Sequence, residues 1–258
     1  MKGLFKRPSQ EKRSKPWNPF AKEAAPTAPG AVLKGFYDPE VSTPCVTVCT
    51  PKGACQCGCE GIRKALSDEI GKRQLKVSVG SAKVGCSGTC KNGPIIGFPL
   101  KGFFYVNVKG EDIPEIVEET LVNGRILFRL VSINPDRSYR SDVYYEKSTG
   151  TLAAIDDKTC MVEVAKYFLD FEEGLSCGKC VPCRLGMLRM HEGMKRIMAG
   201  KGSEADLAEI EMLCKTMITT PHCEFAMTSS RPVLSAITYF KDEFRAHIEG
   251  QCAAAACQ

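Results

Sequence analysis

The sequence of 258 residues predicts an α+β protein with two main domains, a small N-terminal α/β sandwich followed by a C-terminal four-helix bundle. Two patterns support this fold class. Short β-rich runs alternate with amphipathic stretches up to residue 148, and helical periodicity dominates from residue 159 onward. A third observation concerns chemistry, because the chain has 15 cysteines, most of them near the ends of predicted elements.

The first half has the predicted order strand, helix, strand, strand, helix. Ile62, Leu66 and Ile70 fall on one face of the first helix, as helical periodicity requires. Strands are expected at 43–50, 75–79 and 102–108, and helices at 61–72 and 111–122.

The second half predicts four helices with short connections, which is the pattern of a bundle. Pro232 is expected at the first position of the last helix. Cys214 lies on an apolar face and is expected in the core rather than in a metal site. The predicted helices span 159–173, 185–198, 204–218 and 232–247.

Cys177, Cys180 and Cys183 have C-x2-C-x2-C spacing within Ser-Cys-Gly-Lys-Cys-Val-Pro-Cys-Arg. Three thiolates so close together cannot pair usefully as disulfides, but one turn can present them to three corners of a [4Fe-4S] cluster. The fourth ligand must be remote, because the nearby Cys-Pro of bacterial ferredoxins is missing. Cys223 and the neighbouring His222, between the third and fourth helices, are the two candidates.

The first domain holds a second group of cysteines. A C-x5-C loop and a C-x3-C loop together supply four thiolates, enough for a [2Fe-2S] cluster. Zinc is the main alternative, although the C-x2-C knuckles of structural zinc sites are absent here. Gly85, Gly88 and Gly93 are expected to let backbone amides approach the sulfurs. The six cysteines of this group are Cys49, Cys55, Cys57, Cys59, Cys86 and Cys90.

The pattern Val-Cys, Cys, Gly-Cys-x-Gly-x-Cys-x-x-Gly-Pro resembles thioredoxin-like [2Fe-2S] ferredoxin domains. Such domains occur in the 24-kDa-type subunit of respiratory complex I and at the front of many flavin-carrying NADH-oxidising subunits. The resemblance implies a thioredoxin-like fold for residues 40–148 and ligation by Cys49, Cys55, Cys86 and Cys90, with Cys57 as the alternative to Cys55. Cys59 is expected to be a small buried apolar residue.

Residues 155–250 resemble the C-terminal four-helix domain of the 51-kDa-type NADH-oxidising subunit of complex I and of electron-bifurcating hydrogenases and transhydrogenases. The motifs are S-C-G-x-C-x-P-C-R, T-T-x-x-C and R-P-V-L-S-x-x-x-Y-F-x-x-E-F-x-x-H-I. In that family the cysteine nine residues before Pro-Val is the fourth [4Fe-4S] ligand, which here is Cys223. The resemblance implies an electron-transfer subunit that relays single electrons between redox centres of a larger flavoenzyme. An electron-bifurcating oxidoreductase of the transhydrogenase, hydrogenase or formate dehydrogenase type is expected.

Family members place an FMN- and NADH-binding domain between these two regions, marked by a Gly-Arg-Gly-Gly-Ala-Gly-Phe-Pro-type loop. This sequence has no such loop and no G-x-G-x-x-G after a strand, so neither FMN nor NAD is expected to bind. No acid–base or nucleophilic motif predicts a catalytic residue. The alternative function is that of a structural or assembly subunit whose zinc sites bridge larger subunits.

The tail offers a candidate zinc site. Cys160, His247, Cys252 and Cys257 supply three thiolates and one imidazole, and bifurcating-hydrogenase relatives carry similar residues at these places. The other interpretation is a frayed tail with free thiols. The expected division of the chain is an extension at 1–39, the ferredoxin domain at 40–148, a linker at 149–158, the helical domain at 159–249 and the tail at 250–258.

Residues 1–35 carry eight basic and two acidic side chains. This basic, Pro-rich extension is interpreted either as an arm along a partner subunit or as a solvated leader. No basic stripe with interleaved aromatic residues follows, so nucleic acid is not an expected partner. Without a signal peptide or a membrane-spanning run, the protein is expected in the cytoplasm, in a hetero-oligomer with flavin- and iron–sulfur-containing subunits.

Overall fold

The computed structural model describes residues 36–37, 44–50, 55–88, 90–131, 140–219, 223–252, 254–255 and 257. The basic extension and the candidate ligand His222 lie outside these ranges. The described part of the chain is a mixed α/β structure, in which one sheet is covered by helices.

Six strands form one sheet in the order β4-β3-β1-β2-β6-β5. Strands β1 and β2 are parallel, and every other neighbouring pair is antiparallel. A parallel pair needs a crossover, and helix α1 (Cys59–Lys72) provides it. The strands are β1 (Val46–Cys49), β2 (Val79–Gly85), β3 (Ile96–Phe98), β4 (Phe103–Tyr105), β5 (Val143–Glu146) and β6 (Thr151–Ala154).

After β4 the chain forms a helical segment on the same face as α1. It comprises a 3₁₀ turn (Gly110–Asp112), a short α2 (Ile113–Glu115) and a π-helical stretch (Ile116–Val122). The apolar faces of this segment and of α1 pack against Val46, Val48 and Phe98 of the sheet. The predicted helix at 111–122 is therefore confirmed in position, although half of it is π-helical.

Helices dominate the rest of the chain, and α3, α4, α5 and α7 share one core with strands β5 and β6. Met187, Met190 and Met194 fill this core together with Cys214, as predicted. Burial raises the pKa of the Cys214 thiol to about 12, so this residue stays protonated. The helices are α3 (Met161–Leu175), α4 (Val181–Met198), α5 (Glu204–Thr219), α6 (Glu224–Ser229), α7 (Arg231–Tyr239) and α8 (Lys241–Ile248).

Three predicted elements differ from the structure. The strand expected at 75–79 begins only at Val79, where pairing with Val46 of β1 starts. The single helix expected at 232–247 is two helices, because Phe240 leaves the helical conformation with φ −128° and ψ 31°. The segment expected as a linker, 149–158, contains strand β6, which pairs with both β2 and β5.

Strands β5 and β6 contribute to two different cores. Tyr145 and Leu152 face the helices, whereas Tyr144 and Ala153 face the core that holds Cys49, Cys59 and Cys86. This alternation follows from the two-residue period of a strand. The sheet therefore lies between the helical core, which holds Cys160 and Cys183, and the core that holds Cys49, Cys59 and Cys86, and it contributes side chains to both.

Candidate metal centres

Two close sulfur pairs lie at the end of β1 and the start of α1. Cys49 is the last residue of β1 and Cys59 is the first of α1, and their Sγ atoms are 2.9 Å apart. Cys57 Sγ lies 3.1 Å from Cys90 Sγ. The turn that allows this is at Gly58, whose φ of +72° would strain any other residue. Four thiols from three chain segments thus form two close pairs.

The pKa values of Cys49 and Cys59 are shifted in opposite directions. The hydrogen bond with Cys59 lowers the pKa of Cys49, whereas the same contact and burial raise the pKa of Cys59. The Ile95 amide also donates to Cys49 Sγ at 3.4 Å, which favours the negative charge there.

Cys55 and Cys86 complete the group. The pKa of Cys57 is raised by burial and by hydrogen bonds with Cys90 and Cys55. Burial raises the pKa of Cys86, the Gly88 amide lowers it, and the negative charges of Cys90, Cys55 and Cys59 raise it further. Neighbouring thiols disfavour one another's ionisation and so raise one another's pKa. A bound cation would stabilise the thiolates and offset this repulsion.

Of the three glycines expected to let backbone amides approach sulfur, Gly88 has an amide that hydrogen-bonds with Cys86, and Gly85 and Gly93 lie close to other side chains. A methyl group on Gly93 would lie 2.8 Å from Cys90 Sγ and 2.9 Å from Cys57 Sγ, so this glycine does make room for sulfur. Gly85 makes room for something else, because a methyl group there would lie 2.4 Å from Tyr239 Cβ. Gly85 permits close packing of β2 on α7.

The C-x2-C-x2-C run forms the turn between α3 and α4. Gly178, with φ +67°, reverses the chain, and Cys180 is the residue immediately before α4. Ser176 Oγ accepts a hydrogen bond from the Gly178 amide and lies 3.2 Å from Cys183 Sγ. Cys183 is buried in the first turn of α4, whereas Cys177 is exposed.

Cys223 is one of the residues that act on the pKa of Cys183. Burial raises the pKa of Cys183, and the charges of Cys177, Cys223 and Cys180 raise it further. Cys223 immediately precedes α6, as Cys180 immediately precedes α4. Cys180 and Cys183 lie at the start of α4, and the N-terminal end of a helix favours negative charge.

The tail residues converge with Cys160. One ligand atom from each of Cys160, His247, Cys252 and Cys257 lies within 4.8 Å of every other, the only such set of three or more found in the described ranges. Cys160 Sγ is 3.5 Å from His247 Nε2 and 3.5 Å from Cys257 Sγ. Three thiols and one imidazole match a structural zinc donor set. We refer to these four residues as the CHCC tetrad.

His247 is oriented by a backbone contact. Its Nδ1 donates to the Glu243 carbonyl at 2.8 Å, which leaves Nε2 free to accept a metal. Burial raises the pKa of Cys160, while the Glu163 and Val162 amides at the start of α3 lower it.

Two kinds of contact are not predicted by the sequence. Cys59 is buried, as its small apolar character predicts, but its sulfur also contacts Cys49. His191 lies with Nδ1 3.3 Å from Asp170 and Nε2 2.9 Å from Glu173, so it joins α4 to α3. The crowding of cysteines in the loop 55–59 is a signal for the first contact, whereas no motif marks the second.

Part of the C-terminal region matches an iron–sulfur binding family. Residues 163–247 match the family described as the NADH-ubiquinone oxidoreductase-F iron-sulfur binding region. This match confirms the predicted resemblance of the C-terminal region to NADH-oxidising subunits. Among the described residues, no helix is long and apolar enough to span a membrane.

Curated relatives share this region. The HndC subunit of the NADP-reducing hydrogenase of Solidesulfovibrio fructosivorans is 40% identical over 110 residues, which is 42% of this chain and 22% of the relative. The F 2 subunit of the NADH-quinone oxidoreductase of Rhizobium meliloti (strain 1021) is 40% identical over 98 residues, 38% of this chain and 23% of the relative. The chain thus spans less than a quarter of these two relatives.

A solved structure of an NAD⁺-reducing [NiFe]-hydrogenase in the air-oxidized state is 27% identical to this chain, with a TM-score of 0.34. The match covers 38% of this chain and 17% of the hydrogenase chain.

Proposed function

We propose that the chain is an iron–sulfur electron-transfer subunit that relays single electrons within a larger flavoenzyme. The observation that carries the proposal is the presence of two separate thiol groups, one of which lies in a region that matches the NADH-ubiquinone oxidoreductase-F family. Two relatives are named as subunits of a hydrogenase and of a quinone oxidoreductase. The partner class is therefore flavin- and iron–sulfur-containing subunits, and an electron-bifurcating NAD(P)H/ferredoxin oxidoreductase is the assembly that we favour.

The second part of the proposal is a [2Fe-2S] cluster in a thioredoxin-like N-terminal domain. The order β4-β3-β1-β2, with β1–α1–β2 followed by a hairpin and a helical segment, supports this fold. We assign Cys49, Cys86 and Cys90 as ligands and take the fourth from Cys55, with Cys57 as the alternative.

The third part is a [4Fe-4S] cluster on Cys177, Cys180, Cys183 and Cys223. When bound, such a cluster accepts and donates one electron at a time. The chain's own residues hold and tune it: Ser176 lies beside the Cys183 sulfur, and the N-terminus of α4 favours the anionic charge. The helical core on one side excludes water, and the exposed Cys177 side faces a redox partner.

The fourth part is a structural zinc ion on the CHCC tetrad. Four protein ligands leave no open position for water, so the ion would stabilise the fold rather than catalyse a reaction. It would connect the start of α3 to the chain beyond α8. No FMN or nicotinamide site forms part of the proposal.

The test is the metal and flavin content of anaerobically purified full-length chain. We expect about six irons, a matching amount of sulfide and about one zinc per chain, with two distinct paramagnetic signals after reduction. FMN should be absent, and the isolated chain should not pass electrons from NADH to an artificial acceptor. An iron content of about four or less with one signal would contradict the two-cluster assignment.

The fourth [2Fe-2S] ligand is resolved by paired substitutions. Cys55→Ser should abolish the [2Fe-2S] signal if Cys55 is the ligand, and Cys57→Ser should then leave it in place. The reverse result would assign Cys57, whose sulfur lies 3.1 Å from that of Cys90. The alternative function, a subunit with zinc in all sites, predicts a colourless protein, whereas iron–sulfur protein is brown.

A further inference from the structure

The CHCC tetrad has neighbours on both sides of Cys160 that come from distant parts of the chain. Lys83 Nζ, from strand β2, donates to the Thr159 carbonyl at 2.7 Å. The Glu243 carboxylate, from α8, accepts from the Met161 amide at 3.1 Å. The residues immediately before and after Cys160 are therefore each held by a charged side chain.

These two charged side chains also contact each other. Lys83 Nζ lies 2.9 Å from Glu243 Oε1, and the side chains are only 16% and 15% exposed. Exposed ion pairs contribute little because water and salt screen them, but a pair this buried is screened much less and depends on its geometry. Removing one partner would leave the other charge buried without compensation.

Glu243 touches the tetrad in a second way. Its backbone carbonyl accepts from His247 Nδ1 at 2.8 Å, and this bond leaves Nε2 as the metal-binding atom. One residue thus holds the imidazole through its main chain and the start of α3 through its carboxylate. Lys83 fixes the direction of that carboxylate.

We propose that Lys83 and Glu243 are positioning residues for the metal of the CHCC tetrad, through which strand β2 sets the geometry of Cys160 and His247. The inference rests on the zinc site proposed above. Neither residue is a ligand. Both act through the ligands, and so their removal should reduce zinc affinity beyond any general loss of stability.

The test uses the full-length chain with its iron–sulfur centres and measures the zinc dissociation constant by competition with a chelating indicator. Outer contacts of metal ligands typically account for about 10- to 100-fold in affinity, so Lys83→Met should raise the constant within that range. Lys241→Met is the matched control. Lys241 begins α8 and lies 4.0 Å from Glu211 on α5, so its removal should leave the constant within about twofold of the wild type, far below the effect of losing an outer contact.

Glu243→Gln provides a second variant that keeps the backbone carbonyl on His247 and an oxygen for the Met161 amide. It should raise the zinc dissociation constant by itself. The double variant should raise this constant by less than the product of the two single fold-changes, because the two residues act as one unit. If Lys83→Met does not fold, this variant carries the test.

Melting temperatures with and without zinc separate positioning from general stabilisation. A positioning role predicts a smaller zinc-induced increase in melting temperature for Lys83→Met than for Lys241→Met. A general stabilising role predicts that Lys83→Met lowers the melting temperature equally with and without zinc, and this result would overturn the inference. If the wild type binds no zinc, the proposed site itself fails. If the wild type binds zinc and Lys83→Met binds it equally well, only the present inference fails.

Discussion

Gly93→Ala places one methyl group against the sulfurs of the first cysteine group. The new carbon would lie 2.8 Å from Cys90 Sγ and 2.9 Å from Cys57 Sγ, whereas non-bonded carbon atoms prefer separations of about 3.5–4.0 Å. The sulfurs would have to move by about 0.6 Å or more to relieve the overlap. Metal–ligand distances tolerate deviations of only about 0.2 Å, so the cluster should not form.

Gly93 does not have positive φ, so the backbone itself accepts alanine and the effect is confined to the sulfurs. The assay is iron content with the paramagnetic signals of the reduced protein. We expect the [2Fe-2S] signal to disappear, the [4Fe-4S] signal to remain, and iron to fall from about six to about four per chain.

Gly61→Ala is the matched control, because Gly61 lies in α1 two residues after Cys59 and a methyl group there meets no atom within 4 Å. Alanine in a helix interior should stabilise the protein by about 0.5–1 kcal/mol and leave both signals unchanged. Gly93→Ala protein with both signals and full iron would refute the reasoning. The sulfurs of Cys57 and Cys90 would then not adjoin Gly93 in the metal-bound protein.

Three further predictions follow from separate features. Cys180→Ser should abolish the [4Fe-4S] signal and leave the [2Fe-2S] signal, Cys90→Ser should do the reverse, and loss of both signals from either change would argue for one shared site. His247→Ala should bring zinc to near zero and lower the melting temperature with iron unchanged; zinc retained in this variant would exclude the assignment. Asp206→Ala should lower the free energy of unfolding in urea by about 1–2 kcal/mol, because Asp206 accepts from the Ser203 amide at 2.8 Å at the start of α5 and pairs with Arg196; a change below about 0.3 kcal/mol would show that this cap is unimportant.

Helices are the part of the fold that the sequence predicts best. Helical periodicity locates α1, α3, α4 and α5 to within a few residues, because each buries one continuous apolar stripe. Strands are harder to predict. β3 has three residues between Pro94 and the turn after Phe98, and β6 resembles a linker because Thr-Leu-Ala-Ala has no strong β pattern.

The candidate sites also contain a part that the sequence predicts and a part that it does not. Spacing predicts the C-x2-C-x2-C turn, whereas the remote Cys223 is implied by the resemblance to NADH-oxidising subunits, since spacing alone leaves His222 as a second candidate. The loop with Cys55, Cys57 and Cys59 cannot be decided from spacing, since the direction of each sulfur depends on the left-handed turn at Gly58. The contact between Lys83 and Glu243 is not predictable, because the two residues are far apart in the sequence and only the folded sheet brings them together.

Strand β6 has a consequence for how the molecule can be divided. The strand pairs with β2, which leads directly to Cys86, while its Leu152 packs in the same core as α3 and α4. A fragment cut at 149–158 would lose this strand from one half or the other and leave an unpaired, apolar sheet edge that invites aggregation. Replacing one half of the chain by a homologous half should therefore fail unless each fragment includes β5 and β6. A common sheet in place of a hinge would also hold the spacing between the two thiol groups constant, so that electron passage between them would not depend on domain motion.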